Sequence, residues 1–350
     1  LASKETFYYR NKLEFTFSNK RWLTEEEIQS EKDFGNRSAL GFHRPGAFDK
    51  IVDVEHCHLQ GDPSNAIRNE IRQYALEKGL SFYDIKSNKG FLRTLIIRTT
   101  TLNEVMVILT LGEEQEEARI KLLEHVSKKF EGKITSLNYV INTKGNDTIF
   151  DQEVVCFAGQ TYITEQLGEI KYRIGPKSFF QTNPVQAKFL YDLAKSFANI
   201  TSSDLVYDLY TGLGSIALYI AKEAKHVVGI EEIPEAIEYA KANASLNQIE
   251  NASFYAGDVK ALLTKTLIEK HGKPDVLITD PPRVGMHEEV VNMLRYLRTP
   301  KLVYVSCNAA TQARDLNLLK DIYSLEKIQA VDMFPHTNHV ESVALLKLKE

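Results

Sequence analysis

The pattern of apolar and polar positions changes near residue 177 of the chain. Upstream, apolar residues recur at helical spacing over 63–79 and 113–130. Asp62 before Pro63 predicts the N-cap of the first helix, and Asn103-Glu104 predicts a turn between two strands. Runs rich in β-branched and aromatic residues predict strands at 13–17, 94–100, 105–109, 135–141, 153–157 and 170–174. The pattern of this half therefore predicts an α+β domain in which two helices cover a sheet.

Downstream of residue 177, apolar runs alternate with helical patterns. Pro184 and Pro234 stand where first-turn prolines of helices belong. The predicted strands are 205–209, 226–230, 252–255, 276–279 and 302–305. This alternation predicts a Rossmann-like α/β domain with a doubly wound, mostly parallel sheet. Two closing runs, 325–331 and 340–346, have no helix between them and are expected to pair antiparallel at or beside an edge. We therefore predict two domains, 1–177 and 178–350.

Composition and charge narrow the classes of protein. The 350 residues include 43 Lys and Arg against 47 Asp and Glu, so overall charge does not attract nucleic acid and a local patch must do so. One candidate is 4–21, where cations alternate with rings, although a half-buried strand explains the same pattern. No apolar run approaches a membrane span, and no secretory signal is present. Three widely spaced cysteines favour the reducing cytoplasm, and we expect a monomer there.

The first strand of the second half leads into a glycine-containing turn. Gly212 and Gly214 allow a close approach of backbone to a ligand, and Glu231, 23 residues after Asp208, is placed to accept ribose hydroxyls. This spacing alone fits a dinucleotide site as well as an S-adenosylmethionine site. Carboxylates such as Asp208 and Asp280 would repel a pyrophosphate but attract a sulfonium and an amino group. The balance therefore favours S-adenosylmethionine, with Asp258 near the adenine amino group.

Two reactive residues stand at the end of the second half. Cys307 directly follows an apolar strand, where it could be a thiolate nucleophile if dipoles or a cation lower its pKa, or a small buried apolar residue. Glu341 interrupts an apolar run. If Glu341 is buried, its pKa is raised and it can act as a base near neutral pH. If it lies on an exposed edge strand, its charge instead prevents aggregation.

Five motifs follow one another in the second half of the chain: FFQTNP at 179–184, DLYTG at 208–212, DPPR at 280–283, SCN at 306–308 and FPHTNHVE at 334–341. This ordered series resembles that of the RNA uracil-5-methyltransferases. In the first half, YRNK at 9–12, LGFHR at 40–44 and the segment 53–59 around Cys57 resemble the central domain of the bacterial 23S ribosomal-RNA members. The resemblance implies a class I methyltransferase domain after an α+β central, RNA-binding domain.

The resemblance also implies roles for individual residues. Cys307 would be the nucleophile and Glu341 the base that removes the carbon-5 proton of the uracil. Phe179, Gln181 and Arg283 would contact the substrate. The cofactor-binding residues implied for S-adenosylmethionine are Gln181, Tyr210, Gly212, Ser215, Glu231, Asp258 and Asp280. The product would be 5-methyluridine in RNA, with ribosomal RNA favoured over transfer RNA.

The chain differs from the ribosomal members of this family in the cysteines that bind an iron–sulfur cluster. Ribosomal members of the family carry an upstream RNA-binding barrel and three cysteines that, with an equivalent of Cys57, hold a 4Fe-4S cluster. Those three cysteines do not occur in this chain, which begins at Leu1. We therefore expect no metal here. Either an upstream segment is missing and Cys57 is an orphan ligand, or the protein works without the cluster.

Other classes of protein remain as alternatives. A cytosine-5-methyltransferase would place a cysteine in the DPPR loop, and an amino-group methyltransferase would need no thiol. The glycines alone would permit an NAD-dependent dehydrogenase. A noncatalytic RNA-binding protein could retain this architecture, but the presence of both Cys307 and Glu341 argues against that.

Overall fold

The computed structural model describes residues 1–30 and 34–350. The chain folds into two compact units. The N-terminal unit comprises Phe7–Thr164 and Gly175–Lys177, and the C-terminal unit comprises Leu1–Thr6, Glu165–Ile174 and Ser178–Glu350. The C-terminal unit thus includes two segments that our sequence prediction assigned to the first domain.

The N-terminal unit is built on a seven-stranded sheet. Its elements are β1 (Lys12–Ser18), α1 (Glu25–Gln29), β2 (Ala39–Arg44), β3 (Ala47–Asp53), α2 (Ser64–Glu77), β4 (Leu92–Thr99), β5 (Val105–Leu111), α3 (Glu116–Lys129), β6 (Ser136–Ile141) and β7 (Val155–Gly159). The strand order is β3-β2-β1-β4-β5-β6-β7. Neighbouring strands are antiparallel except β5 and β6, which α3 connects in parallel. The β4–β5 hairpin confirms the turn predicted at Asn103-Glu104.

Alternating side chains of this sheet pack with the two longer helices. Phe15 and Phe17 of β1 are fully buried in one cluster with Ile67 and Ile71, which are four residues apart on α2. One detail of the prediction is wrong: Pro63, not Asp62, occupies the N-cap position of α2, and no side chain caps it. The sequence analysis also overlooked the β2–β3 hairpin, although Pro45-Gly46 is a turn signal between its strands.

The C-terminal unit follows the predicted alternation. Its elements are β8 (Ile163–Leu167, which starts just before the unit), β9 (Ile170–Ile174), α4 (Pro184–Ala198), β10 (Leu205–Leu209), α5 (Ser215–Ile220), a 3₁₀ turn (Ala221–Glu223), β11 (His226–Glu231), α6 (Pro234–Leu246), β12 (Ala252–Ala256), α7 (Val259–Leu262), α8 (Lys265–His271), β13 (Val276–Thr279), α9 (Glu288–Leu297), β14 (Lys301–Ser306), α10 (Ala309–Leu319), β15 (Tyr323–Val331) and β16 (Glu341–Leu348). β8 and β9 form a separate two-stranded sheet. Pro184 and Pro234 both stand in first helical turns, as predicted.

The strand order β12-β11-β10-β13-β14-β16-β15 determines where the functional loops meet. β10 to β14 are parallel to one another, so the segments that follow them lie along one edge of the sheet. β16 is antiparallel to both β14 and β15, which confirms the predicted closing pair. Because of its opposite direction, β16 begins at the edge where β14 ends. This places Glu341 beside the loops of the parallel strands.

Apolar side chains of the parallel strands form the core of the C-terminal unit. Tyr207, Leu209 and Leu277 are fully buried, together with Leu294 of α9 and Leu346 of β16. Within residues 1–30 and 34–350, no helix is both long and apolar enough to span a bilayer.

Candidate active site

The carboxyl end of β10 carries a buried acid. Asp208 Oδ2 accepts hydrogen bonds from Thr211 Oγ1 at 2.6 Å and from the Ala217 N–H at 3.1 Å. Its Oδ1 is buried and has no hydrogen-bond partner among the described residues. Burial raises the pKa of Asp208 to about 7. An orphaned carboxylate oxygen of this kind indicates a place for a positively charged or hydrogen-bonding ligand.

The turn between β10 and α5 is open toward a ligand. Tyr210, Gly212 and Gly214 all have positive φ, with values of 64°, 57° and 83°. The position of a Cβ on Gly212 has no neighbour within 4 Å, whereas at Gly214 a Cβ would lie 3.1 Å from Leu218 Cδ1. Gly212 therefore leaves space beside the backbone, and Gly214 allows close packing of the helix.

Acidic side chains follow the next two strands. Glu231 ends β11 and accepts hydrogen bonds from the N–H groups of Gly212 and Ile233, both at 3.0 Å. Asp258 follows β12 and caps α7 by accepting the Lys260 N–H at 3.0 Å. Burial and nearby acids, Asp258 first among them, raise the pKa of Tyr210 to about 12. The structure thus brings the predicted ribose and adenine carboxylates to the same sheet edge as the glycine turn.

Asp280, directly after β13, adds a further acid. Burial raises its pKa well above the usual value, and the carboxyls of Glu341 and Asp208 raise it further. Two buried tyrosines, one near Asp208 and one near Asp280, were not predicted from the sequence. Tyr172 donates its hydroxyl to the Ser215 carbonyl oxygen at 2.8 Å, and the charge of Asp280 contributes to the raised pKa of Tyr191. Neither tyrosine has a sequence signal beyond its place in an apolar pattern.

Cys307 and Glu341 take facing positions at the same edge. The last residue pair between β14 and β16 is Ser306 with Ser342. Cys307 follows Ser306 in the sequence, and Glu341 precedes Ser342. Cys307 lies just beyond β14 and Glu341 is the first residue of β16, so the two positions continue the register of this antiparallel pair by one step. The carboxyl of Glu341 accordingly contributes to the electrostatic surroundings of the thiol. The structure therefore brings together two residues that are separated by 34 positions.

The sequence predicted a thiolate nucleophile at Cys307 on the condition that dipoles or a cation lower the pKa of its thiol. Burial raises its pKa above the usual value, and Glu341 and Asp280 raise it further. Arg283 acts in the opposite direction through its charge and a hydrogen bond. A cation is therefore present beside the thiol, but burial and the two acids outweigh its effect on the pKa of Cys307.

Glu341 is almost completely buried, with 3 % of its surface exposed. Burial raises its pKa to about 7, and Arg283 opposes that rise. Because β16 lies between β14 and β15, Glu341 is not a charge on an edge strand, and that alternative is wrong. A carboxyl with this pKa can accept a proton near neutral pH.

The segment that carries Phe179 lies beside the turn before Glu341. Asn183 caps α4 and donates its Nδ2 to the Met333 carbonyl oxygen at 3.1 Å, which joins this segment to the end of β15. Phe179 is 70 % exposed, whereas Gln181 is buried. Phe179 thus presents an exposed ring four residues before Asn183, the residue that contacts Met333.

Cys57 lies in the N-terminal unit, away from any metal-ligating set. Its thiol is buried, and its N–H donates to Asn65 Oδ1 at 2.8 Å. Within the described part of the chain, no group of three or more His, Cys, Asp or Glu residues could hold a metal ion. The described residues by themselves therefore do not fit an iron–sulfur cluster.

Known proteins resemble this chain over nearly its whole length. An uncharacterised RNA methyltransferase of Bacteroides thetaiotaomicron is 52% identical over 352 residues, which cover 100% of this chain and 77% of that protein. Another uncharacterised RNA methyltransferase, from Porphyromonas gingivalis, is 53% identical to this chain. The match covers 99% of this chain and 76% of that protein. The crystal structure of Pyrococcus abyssi tRNA (uracil-54, C5)-methyltransferase in complex with S-adenosyl-L-homocysteine superposes with a TM-score of 0.77 at 30% identity, covering 99% of this chain and 78% of that one.

The family comparison covers most of the C-terminal unit and part of the N-terminal unit. Residues 89–349 match the model of the tRNA (uracil-5-)-methyltransferase family. This range contains the glycine turn, the DPPR loop, Cys307 and Glu341. The chain is therefore an RNA methyltransferase that belongs to the tRNA (uracil-5-)-methyltransferase family.

Proposed function

We propose that this protein transfers a methyl group from S-adenosylmethionine to carbon 5 of a uridine in RNA, with Cys307 as nucleophile and Glu341 as base. The observation that carries the proposal is the facing arrangement of these two residues at the edge where β14 ends and β16 begins. The carboxyls of Asp208 and Asp280 lie at the ends of neighbouring strands of the same sheet. A nucleophile, a base and a site for a cationic methyl donor therefore occupy one sheet edge.

The chemistry of the acids fits this donor. S-adenosylmethionine supplies a methyl group on a positively charged sulfur and also carries an ammonium group. Asp208 and Asp280 are buried acids with raised pKa values, and a cation beside them would stabilise their ionised forms. Gly212 leaves room along the backbone. Gln181, Tyr210, Ser215, Glu231 and Asp258 are the further residues that we propose to line the donor site.

The proposed reaction needs one thiol and one carboxylate of the protein in addition to the methyl donor. The Cys307 thiolate adds to carbon 6 of the uracil, which makes carbon 5 an enolate-type nucleophile. Carbon 5 then forms a bond to the methyl carbon as the bond between that carbon and the sulfonium sulfur breaks, and the neutral thioether S-adenosylhomocysteine leaves with the bonding electron pair. Glu341 removes the proton from carbon 5, and the electron pair of that bond expels the Cys307 thiolate. The cysteine is thus regenerated, and Glu341 must release its proton before the next turnover.

The substrate base must leave its stack to expose its face to the thiol. We propose that the exposed ring of Phe179 stacks on the target nucleotide and that Gln181 contacts its edge. Arg283 would contact a phosphate or a uracil oxygen beside the thiol. The retention of both Cys307 and Glu341 favours an active enzyme over an RNA-binding protein without catalysis.

We propose a site in 23S ribosomal RNA as the target, because the segments 40–44 and 53–59 resemble ribosomal members of the family. The alternative is a transfer RNA, which the name of the Pyrococcus abyssi enzyme and of the matched family favours. We expect the protein to act as a cytoplasmic monomer.

One experiment separates these targets. The purified protein is incubated with S-adenosylmethionine labelled in its methyl group and with unmodified 23S ribosomal RNA or total transfer RNA. Nucleoside digestion should release labelled 5-methyluridine from ribosomal RNA. Label in 5-methylcytidine or in no nucleoside would contradict the proposed reaction, and label only in transfer RNA would select the alternative substrate.

A further inference from the structure

Three side chains along one face of α10 bind the loop that follows β13. Asn308 Nδ2 and Thr311 Oγ1 donate to the Arg283 carbonyl oxygen at 3.0 and 3.1 Å. Arg314 Nη2 donates to the Val284 carbonyl oxygen at 2.9 Å. The three donors are spaced three residues apart, and residues at this spacing lie on the same side of a helix. The helix that begins just after Cys307 therefore holds the loop that carries Arg283.

A buried acid completes this connection. Asp315 is fully buried, and its Oδ2 accepts hydrogen bonds from the Met286 N–H at 2.8 Å and the Tyr304 hydroxyl at 2.7 Å. Its Oδ1 accepts from Arg314 Nε at 2.8 Å and Nη2 at 2.7 Å. Tyr304 is on β14, three residues before Cys307. One carboxylate thus joins the loop, the strand that ends at the nucleophile and the following helix.

The backbone of the loop packs directly on this pair. Gly285 has a φ of 80°, and a Cβ there would lie 2.5 Å from Arg314 Nη2 and 2.7 Å from Asp315 Oδ2. Only a glycine permits this conformation together with such a close approach. The loop position is therefore defined by contacts on both its polar groups and its backbone surface.

The loop matters because of the charge that it carries. Arg283 is exposed and belongs to no helix or strand, so its position depends on the contacts of its backbone. The groups around the Cys307 thiol are the carboxyls of Glu341 and Asp280 and the Arg283 side chain. The Tyr191 phenol of α4 also lies close enough to interact with both acids. Arg283 is the group in this set that favours the ionised thiol and carboxylate.

We propose that Arg314 and Asp315 are positioning residues for methyl transfer, which hold the 281–286 loop so that the Arg283 side chain stays beside the Cys307 sulfur. This inference rests on the proposed function of Cys307. The two residues touch neither substrate nor donor in the proposal. They act through Arg283, whose charge stabilises the thiolate that attacks the uracil.

The test measures how the ionisation of Cys307 depends on Arg314. Iodoacetamide alkylation of Cys307 is followed by mass spectrometry across a pH series, and the half-exposed Cys156 of the other unit is the internal reference. The pH midpoint of alkylation reports thiol acidity, whereas a looser structure would change the absolute rate. Arg314→Met is suitable because half of this side chain is exposed, which limits the effect on folding. Thr311→Val is a second, nearly isosteric variant that removes a different contact to the loop.

The chain offers a matched control. Arg295 on α9 forms an ion pair with Asp321 and donates to the Leu318 carbonyl oxygen at 2.6 Å, at the opposite end of α10. Arg295→Met therefore removes the same kind of pair without touching the loop. Arg283→Met shows the full effect of losing the cation.

The expected result is a higher midpoint for Cys307 in Arg314→Met, by about half a pH unit or more, and a smaller rise in Thr311→Val. Arg295→Met should leave the midpoint unchanged. The kcat of Arg314→Met for RNA methylation should fall about 10- to 100-fold, with the KM for S-adenosylmethionine within about twofold of the original protein. The inference is wrong if Arg283→Met raises the midpoint but Arg314→Met does not, or if neither does. Failure of the unaltered protein to form 5-methyluridine would instead contradict the proposed function, because the alkylation midpoint requires no RNA.

Discussion

Cys307 and Glu341 occupy facing positions one step beyond the last residue pair of β14 and β16. The pairing of an outgoing parallel strand with a returning antiparallel strand places a thiol and a carboxyl on the same sheet edge. The Glu341 carboxyl makes ionisation of the thiol less favourable, because it contributes to the raised pKa of Cys307. A substrate that takes up the negative charge of the thiolate would relieve this repulsion. The arrangement therefore favours attack by the thiol only when an acceptor is present.

Replacing Cys307 by Ser should abolish methylation. A serine hydroxyl has a far higher pKa than a thiol, so the addition to carbon 6 loses its nucleophile. The rate of label transfer to RNA should fall by about 10⁴-fold or more, while thermal stability stays close to that of the unaltered protein. Cys156→Ser, which changes a cysteine of the N-terminal unit, should retain full activity. Methylation by Cys307→Ser at the rate of the control would contradict the proposed nucleophile.

Replacing Glu341 by Gln should separate methyl transfer from product release. The amide cannot take the carbon-5 proton, so the methylated base stays bonded to the Cys307 sulfur. We expect a covalent protein–RNA species on a denaturing gel that carries label from the methyl donor. The double variant with Cys307→Ser should show no such band. An unlabelled adduct, or release of product at the normal rate, would assign the proton transfer to another group.

The rate of the unaltered enzyme should increase with pH through about 7. Burial raises the pKa of Glu341 to about 7, and only its ionised form accepts a proton. Below that pH, kcat should therefore fall about tenfold for each pH unit. The raised pKa of Cys307 acts in the same direction, because it too reduces the reactive form at low pH. Single-turnover rates at a series of pH values measure this, and circular dichroism at the same values checks that the fold persists. A rate that is constant between about pH 6 and 8 would oppose this role of Glu341.

Much of the C-terminal fold could be predicted because its signals are local. Each strand from β10 to β14 is a short apolar run followed by a helix, and the first-turn prolines mark α4 and α6. The loops at the carboxyl ends follow from the parallel topology. The motif order could therefore place Asp208, Glu231 and Asp280 at one edge before any coordinates were known.

Other features depend on contacts that are distant in sequence. The closing strands were predicted to pair with each other, but β16 also pairs with β14, and this second pairing sets the register of Cys307 against Glu341. Asp315 reads as a polar position on a surface helix, yet it is fully buried because Tyr304 and the loop backbone supply its hydrogen bonds. The direction in which the pKa of the Cys307 thiol is shifted could not be predicted either, because it depends on the balance between burial, two acids and Arg283.

Replacing Phe179 by Ala should weaken RNA binding without affecting the fold. The ring is 70 % exposed, so little packing is lost. Loss of a stacking contact costs about 1–3 kcal/mol per base, which corresponds to a rise of roughly 5- to 150-fold in the KM for RNA. The KM for S-adenosylmethionine and the melting temperature should change little. Tyr296→Ala, which removes another exposed ring at 59 % exposure, is the matched control. Equal effects of the two variants on the KM for RNA would exclude a specific stacking role for Phe179.

The binding of S-adenosylmethionine should release protons and should strengthen with pH. Burial raises the pKa of Asp208 to about 7, above its value of about 3.9 in an unfolded chain, and also raises that of Asp280. A raised acid pKa stabilises the fold at pH values below the unfolded pKa, and this contribution is lost as the pH rises through about 7. The free protein should therefore lose part of its stability between about pH 4 and 7. A cationic donor favours the ionised carboxylates, so its stabilising effect should be larger at about pH 7.5 than at about pH 5.5.

Melting temperatures with and without saturating donor measure this difference, and calorimetry in two buffers of different ionisation enthalpy counts the released protons. S-adenosylhomocysteine, which lacks the sulfonium charge, should show a weaker pH dependence, and Asp208→Asn should reduce it for the donor. An equal increment in melting temperature at both pH values, with no proton release, would show that these acids do not hold the donor's charge.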